Sequence, residues 1–395
     1  MRIAVFSKTS RRPGPTGGRR FSRAGKALVF GGLTLAPAVA PTVASGAVEP
    51  EPVASLVYST REWDGDYFSR DRPGGVKTTA VRSGLRMIAG DGSGDQALVA
   101  PGERGEFPAA SPDGQWIYFQ AQTEGHWRIC RVRPDGTGGM SVAPAAGSVD
   151  GRLDAYGAAL ARDGRQLTYT LHDGSAGRVV LANADGSGAH GLAPDFGYAY
   201  MASPDASAER VVFSGPAQGY RLAIVDTAKG APRILTPELP GCYVPQFTPD
   251  GRAIVFIRRN GGLYRIAPDG GELQQIAEGI QVEFFLSAQD QHGSTDFPAI
   301  APDGRRVAFV ARDSGGVPNL FTVGLDGSNR RQVTRLPGAC ARVQWSPDGR
   351  WLALVSLVGD RPQLFVVPAD GSAPPRQRTD SRRAVYALSW LPTPR

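Results

Sequence analysis

The chain has 395 residues, 41% of them hydrophobic, so a large core can form and global disorder is excluded. Lys and Arg number 44 against 37 Asp and Glu, for a formal charge of +7, yet residues 1–47 hold eight basic side chains and no acid. The remainder is close to neutral, which removes bulk charge as an argument for nucleic acid binding.

Residues 1–47 read as an export signal. A basic segment ends at Lys26 and an apolar run follows from Ala27 to Ala40. That run is about 14 residues, short of the ~20 that a membrane-spanning helix needs. Small residues then offer cleavage after Ala44 or Ala47. Arg19-Arg20-Phe21 resembles a twin-arginine signal, and the general secretory route fits equally. The expectation is an exported protein, periplasmic or extracellular, with no stable membrane span once the signal is removed.

Residues 48–395 carry the fold. Ser55–Ser59, Leu85–Ile88 and Ala97–Val99 have the alternation of strands, and together they look like a four-stranded unit lacking its first strand. A turn of the form Ser-Pro-Asp-Gly then recurs six times, with its Asp at Asp113, Asp163, Asp205, Asp250, Asp303 and Asp348. Pro presets φ, Asp bonds its own backbone and Gly tolerates positive φ, so each turn joins two strands. Between these turns a second type recurs, at Asp135-Gly136, Asp185-Gly186, Asp269-Gly270, Asp326-Gly327 and Asp370-Gly371. Two hairpins per repeat make a four-stranded antiparallel sheet, and a sheet repeating at this period is a β-propeller blade.

Six turns alone would give six blades, which is the alternative. The run Ala387–Pro392 matches a strand entering a turn but has no partner after it. Pairing it with the three N-terminal strands closes the ring and removes two sheet edges. The prediction is an all-β, seven-bladed propeller closed by its C-terminal strand.

The alternation of the two turns resembles the TolB-like group of WD-related propellers (the PD repeat) over roughly residues 53–392. The resemblance implies the fold. It does not carry over the partners of the Tol–Pal system, because about eight residues separate the expected cleavage from the first strand, too few for a preceding α/β domain.

Chemistry is sparse. No Gly-x-Ser-x-Gly elbow, no phosphate-binding loop and no His-Glu-x-x-His helix occurs. Asp91–Asp95 looks like a calcium loop but falls at the usual Asp-Gly turn position. His126, His172, His190 and His292 are scattered and read as exposed loop residues, so neither metal nor cofactor is expected. Cys130 reads as a buried thiol. Cys242 and Cys340 sit in equivalent loops two repeats apart, too distant for a bridge.

The position seven residues before each turn Asp holds Glu106, Tyr156, Tyr198, Tyr243, Asp296, Ala341 and, counted from Thr393, Tyr386. With 11 Tyr in 395 residues, four Tyr among seven positions is far above chance. These residues should sit near the channel mouth, either packing between blades or forming a binding ring of Tyr156, Tyr198, Tyr243 and Tyr386 with Glu106 and Asp296. Two insertions, residues 61–82 and 280–296, fall on the same face. The expected function is a monomeric binding platform for a protein or a cell-envelope polymer. A carbohydrate-active, lyase-like enzyme with its site at the channel mouth is the alternative.

Overall fold

The computed structural model describes residues 51–393 apart from 64–79, 99–104, 124, 145–152, 174–175, 194–195, 197–198, 216–218, 281–297 and 360. Most of both insertions, with Tyr198, Asp296 and His292, and the whole of the expected signal lie outside the described residues.

Seven four-stranded antiparallel sheets follow one another along the chain. Blade 1 runs, innermost strand first, through Ala384–Leu391, Ser55–Trp63, Ala80–Ile88 and Gln96–Ala97. The innermost strands of blades 2 to 7 are Gly105–Ala110, Asp154–Leu160, Tyr200–Pro204, Cys242–Phe247, Ala299–Ile300 and Cys340–Trp345. The ring is closed as predicted: Leu56 faces Trp390, Tyr58 faces Leu388 and Thr60 faces Val385 across an antiparallel pair. Among the described residues no helix is long and apolar enough to cross a membrane.

The core is distributed rather than central. Seven apolar clusters form, one at each junction between neighbouring blades. In blade 7 the second and third strands are apolar on both faces because each face meets another blade, as in Leu352–Val355 and Leu364–Val367.

The turns behave as their chemistry dictates. The Ser111 hydroxyl accepts the Trp116 N–H at 2.9 Å and donates to Asp113 at 2.5 Å, while the Gln115 N–H reaches the same carboxylate at 3.0 Å. Blade 4 departs from the predicted alignment. Its turn is not Ser203–Ala206 but Asp205-Ala206-Ser207-Ala208, two residues later. Asp205 occupies the serine position, taking the Arg210 N–H at 3.3 Å and the Arg210 Nε at 2.8 Å. Ala208 occupies the glycine position with φ 56°, where Gly114 has φ 70°. A carboxylate at the capping position does what the hydroxyl does elsewhere, and Ser203-Pro204 is a coincidental match inside a strand.

In the outer hairpins, Asp135, Asp185, Asp326 and Asp370 each accept the hydroxyl of the Ser or Thr two residues on, then the backbone N–H of that residue. Both bonds hold these carboxyls below the usual carboxylate range. Because folding lowers these values, their stabilisation is complete above the unfolded carboxylate pKa near 4 and lost as pH falls through the folded values. The urea midpoint should therefore hold steady from about pH 7 to about pH 5 and fall below about pH 4. A midpoint unchanged down to about pH 3 would contradict this.

Asp91 makes the same local turn, with Ser93 donating to it through N and Oγ at 2.8 and 2.7 Å. Cys242 and Cys340 are buried thiols in no disulfide, and burial pushes the Cys242 thiol up to about 11. Cys130 is half-buried rather than buried.

Candidate functional site

The innermost strands of all seven blades contribute to the wall of one central cavity of about 570 Å³. That volume lies within the ordinary range for ligand sites. Its lining runs from the start of the innermost strands to the turns that follow them, at Arg162, Asp205 and Thr248, and the starting end, called the mouth, is shaped by a repeated backbone irregularity. In blades 2, 3, 4, 5 and 7 the register slips after Glu106, Tyr156, Tyr200, Tyr243 and Ala341. The next residue in each case takes positive φ: Phe107 at 51°, Gly157 at 64°, Met201 at 54°, Val244 at 55° and Arg342 at 59°. For the four that are not glycine this costs about 1–2 kcal/mol each. Bulges re-aim side chains; here Phe107, Met201 and Arg342 line the cavity.

The register also corrects the predicted ring. Counted from the true turn of blade 4, the equivalent of Tyr156 and Tyr243 is Tyr200, not Tyr198. Of the predicted residues that are described, Tyr156 alone lines the cavity. Its hydroxyl donates to Asp154 at 2.7 Å, and Asp154 also accepts the Trp127 N–H at 2.8 Å. Tyr243 packs between blades 5 and 6 and lies 5.0 Å from the Tyr220 ring, which in turn meets Tyr200 at 5.8 Å.

Glu106 and Tyr386 are joined by a residue absent from the predicted ring. The Arg61 guanidinium bonds both Glu106 oxygens, Nε to Oε1 at 3.0 Å and Nη2 to Oε2 at 2.5 Å. It lies 3.4 Å from the centre of the Tyr386 ring. All three side chains are buried. Arg342 approaches the same ring at 5.1 Å and Phe107 at 6.0 Å, and Phe107 meets Tyr386 edge-on at 5.3 Å. Blades 7, 1 and 2 are thus tied at the mouth by alternating cations and rings.

The histidines divide. His190 is exposed on an outer strand, and His126 is half-exposed with Nδ1 3.3 Å from Asp154. His172, expected in an exposed loop, is buried at the end of a strand, opposite Asp154 and in the cavity wall. In blade 2 the buried run Ile117–Ala121 is interrupted by one polar residue, Gln120, which also lines the cavity. A lone amide in a buried apolar run was the available signal for that residue. The bulged positions left none, since Phe, Gly, Met, Val and Arg share no property.

Fold and site together define a closed seven-bladed β-propeller with a polar-aromatic central cavity. No family model matches the chain. It is similar to the Tol-Pal system protein TolB of Syntrophus aciditrophicus, 41% identical over 71 residues, which is 17% of this chain and 16% of that protein. Only a small fraction of that relative's length is therefore spanned. Among solved structures, an oligogalacturonate lyase in complex with manganese matches with TM-score 0.56 at 14% identity, over 82% of this chain and 85% of that one. The β-propeller domain of the Trilobed protease from Pyrococcus furiosus matches with TM-score 0.55 at 14% identity, over 84% and 94%. That domain has an open velcro topology, whereas the ring here is closed by Ala384–Leu391. The chain is a closed seven-bladed β-propeller with a short stretch of sequence similarity to TolB.

Proposed function

We propose that this chain is an exported propeller, residues 48–395 after a signal at 1–47, that binds a protein or a cell-envelope polymer at the mouth of its central channel. The observation that carries this reading is the series of five bulges around one mouth, four of them strained, which place Phe107, Met201 and Arg342 beside Tyr156 in the cavity wall. Strain repeated at one end of a channel is kept where the backbone serves a ligand better than it serves the sheet. In this reading Tyr156 touches the ligand, while Glu106, Tyr243 and Tyr386 hold the mouth in shape. Tyr198 and Asp296, outside the described residues, are proposed as further members of the binding ring. The similarity to a Tol-Pal system protein supports an envelope location and a protein partner.

The lyase reading draws on the neighbour that holds manganese. Among the described residues no group of three or more His, Cys, Asp or Glu converges. His126 and Tyr156 both approach Asp154, and Arg61 holds Glu106. Carboxylates engaged in this way suit a rigid binding wall better than a metal or proton-transfer centre.

Replacing Tyr156 by Ala should weaken binding to solubilised envelope polymer or to a captured envelope protein by about tenfold or more, the range of an aromatic hot spot. Asp326→Ala, in an outer turn, should leave binding intact. Equal binding by wild type and Tyr156→Ala, measured by calorimetry, would remove the mouth from the site.

A further inference from the structure

The turns that join first and second strands carry Pro at their second position in blades 2, 5, 6 and 7, as Pro112, Pro249, Pro302 and Pro347. Blade 4 carries Ala206 there and blade 3 carries Arg162, so two adjacent turns forgo the φ that proline presets. Both residues line the cavity at its turn end. A local rule broken beside a cavity marks positions that serve something other than the fold. The Arg162 guanidinium donates to the Pro302 carbonyl at 3.2 Å. Blades 3 and 6 are not neighbours in the ring, so this side chain reaches across the channel and bridges its floor.

Among the described residues Arg162 bonds only that neutral carbonyl, which leaves its charge and most of its N–H donors unanswered. The carboxylates of the surrounding turns are occupied. Asp163 accepts the Arg165 N–H and Asp303 the Arg305 N–H, each at 2.9 Å, while Asp205 pairs with Arg210 at 2.8 Å. Between this floor and the mouth the described wall is uncharged: Ala109, Ala159, Ser203, Gln246 and Gln344 line it at one level. Gln344 is exposed there. The remaining cation of the wall, Arg342, lies at the mouth over the Tyr386 and Phe107 rings.

The blade 3 strand runs about 20 Å from Tyr156 to Arg162, a span that an extended segment of about six residues matches. A polymer acidic at every unit would need cations along that length, and a neutral one would leave the floor unpaired. A chain neutral along its length and anionic at its leading end meets both conditions. From this pattern we infer that the channel receives the C-terminal end of a partner polypeptide, carboxylate first, with Arg162 pairing the carboxylate. Guanidinium and carboxylate match as a two-point fork. The Gln344 amide can donate to or accept from a peptide backbone on the way. This inference rests on the binding reading and specifies which part of a protein partner enters.

The test is calorimetric titration of the intact chain with a pool of N-acetylated hexapeptides built from Ala, Ser, Leu and Phe, as free acids and as C-terminal amides. The acids should bind, and the amides about tenfold more weakly or worse. Arg162→Pro restores the residue that four sister turns carry, so its thermal midpoint should be unchanged or raised. It should nevertheless bind the acids about tenfold more weakly, no better than the amides. Arg162→Gln, which removes the charge without imposing proline's backbone, should lose the same discrimination. Equal binding of acids and amides by the wild type would overturn the proposal, as would unchanged affinity in both variants. Tighter binding of tetragalacturonate than of the acid pool would overturn it in favour of a chain acidic at every unit. Absence of binding by either pool would overturn it too. In that last case, loss of envelope binding in Tyr156→Ala would leave the binding reading standing with another ligand, whereas no loss would end both.

Discussion

A chain ending at residue 383 will lose its cooperative unfolding transition. The deleted strand, Ala384–Leu391, buries Val385, Tyr386, Leu388, Trp390 and Leu391. At about 1.5–3 kcal/mol for each large apolar side chain, the loss is on the order of 10 kcal/mol. That is comparable to the whole net stability of a typical domain, about 5–15 kcal/mol. The deletion also bares the edge of Ser55–Trp63, and it removes the Trp390 indole bond to the Gln344 carbonyl at 3.1 Å that ties blade 1 to blade 7. Circular dichroism melting should show a broad transition at much lower temperature, together with concentration-dependent association through the free edge. A truncated protein melting cooperatively within a few degrees of the intact one would show that the closure contributes little.

Arg61→Ala will be the most damaging single substitution at the mouth. It leaves the Glu106 carboxylate buried without its cation and removes the nearer guanidinium from the Tyr386 ring. Removing one partner of a buried pair costs about 3–5 kcal/mol, whereas replacing both by apolar groups of similar volume is often near neutral. The double variant Arg61→Met with Glu106→Leu should therefore recover most of the stability lost in Arg61→Ala. It should not recover binding if the cation–ring arrangement shapes the mouth. Chemical denaturation of the two variants separates these effects. Equal stability in wild type and Arg61→Ala would mean that the pair is only incidental to the fold.

Much of the fold was legible because its information is local and repeated. Pro, Asp and Gly each fix a turn by their own backbone chemistry, and a unit written six times can be read despite local noise. The unpaired Trp390 run and the three N-terminal strands pointed to closure for the same reason, since each was a fragment of a pattern already known from the other blades. Blade 4 shows the limit. Ser203-Pro204-Asp205 imitates the turn, but Asp205 serves as the capping group and the chain turns two residues later, so the ring position moved from Tyr198 to Tyr200.

The site was less legible because it depends on what the ring brings together. Arg61 is 45 positions from Glu106 and 325 from Tyr386, and nothing in either neighbourhood marks them as partners. The bulges that turn Phe107, Met201 and Arg342 inward place positive φ on five unlike residues, four of them strained. Gln120 left a trace, an amide in an apolar run, but that trace does not mark it as part of a cavity wall.

Hydrogen exchange of the intact chain, with and without solubilised envelope polymer, tests the role of the mouth most directly. Protection should appear in Gly105–Ala110, Asp154–Leu160 and Tyr200–Pro204, the bulged strands that frame the cavity. Protection confined to the outer turns around Asp135, Asp185 and Asp326, with those strands unchanged, would place the binding surface on the opposite face and contradict the assignment.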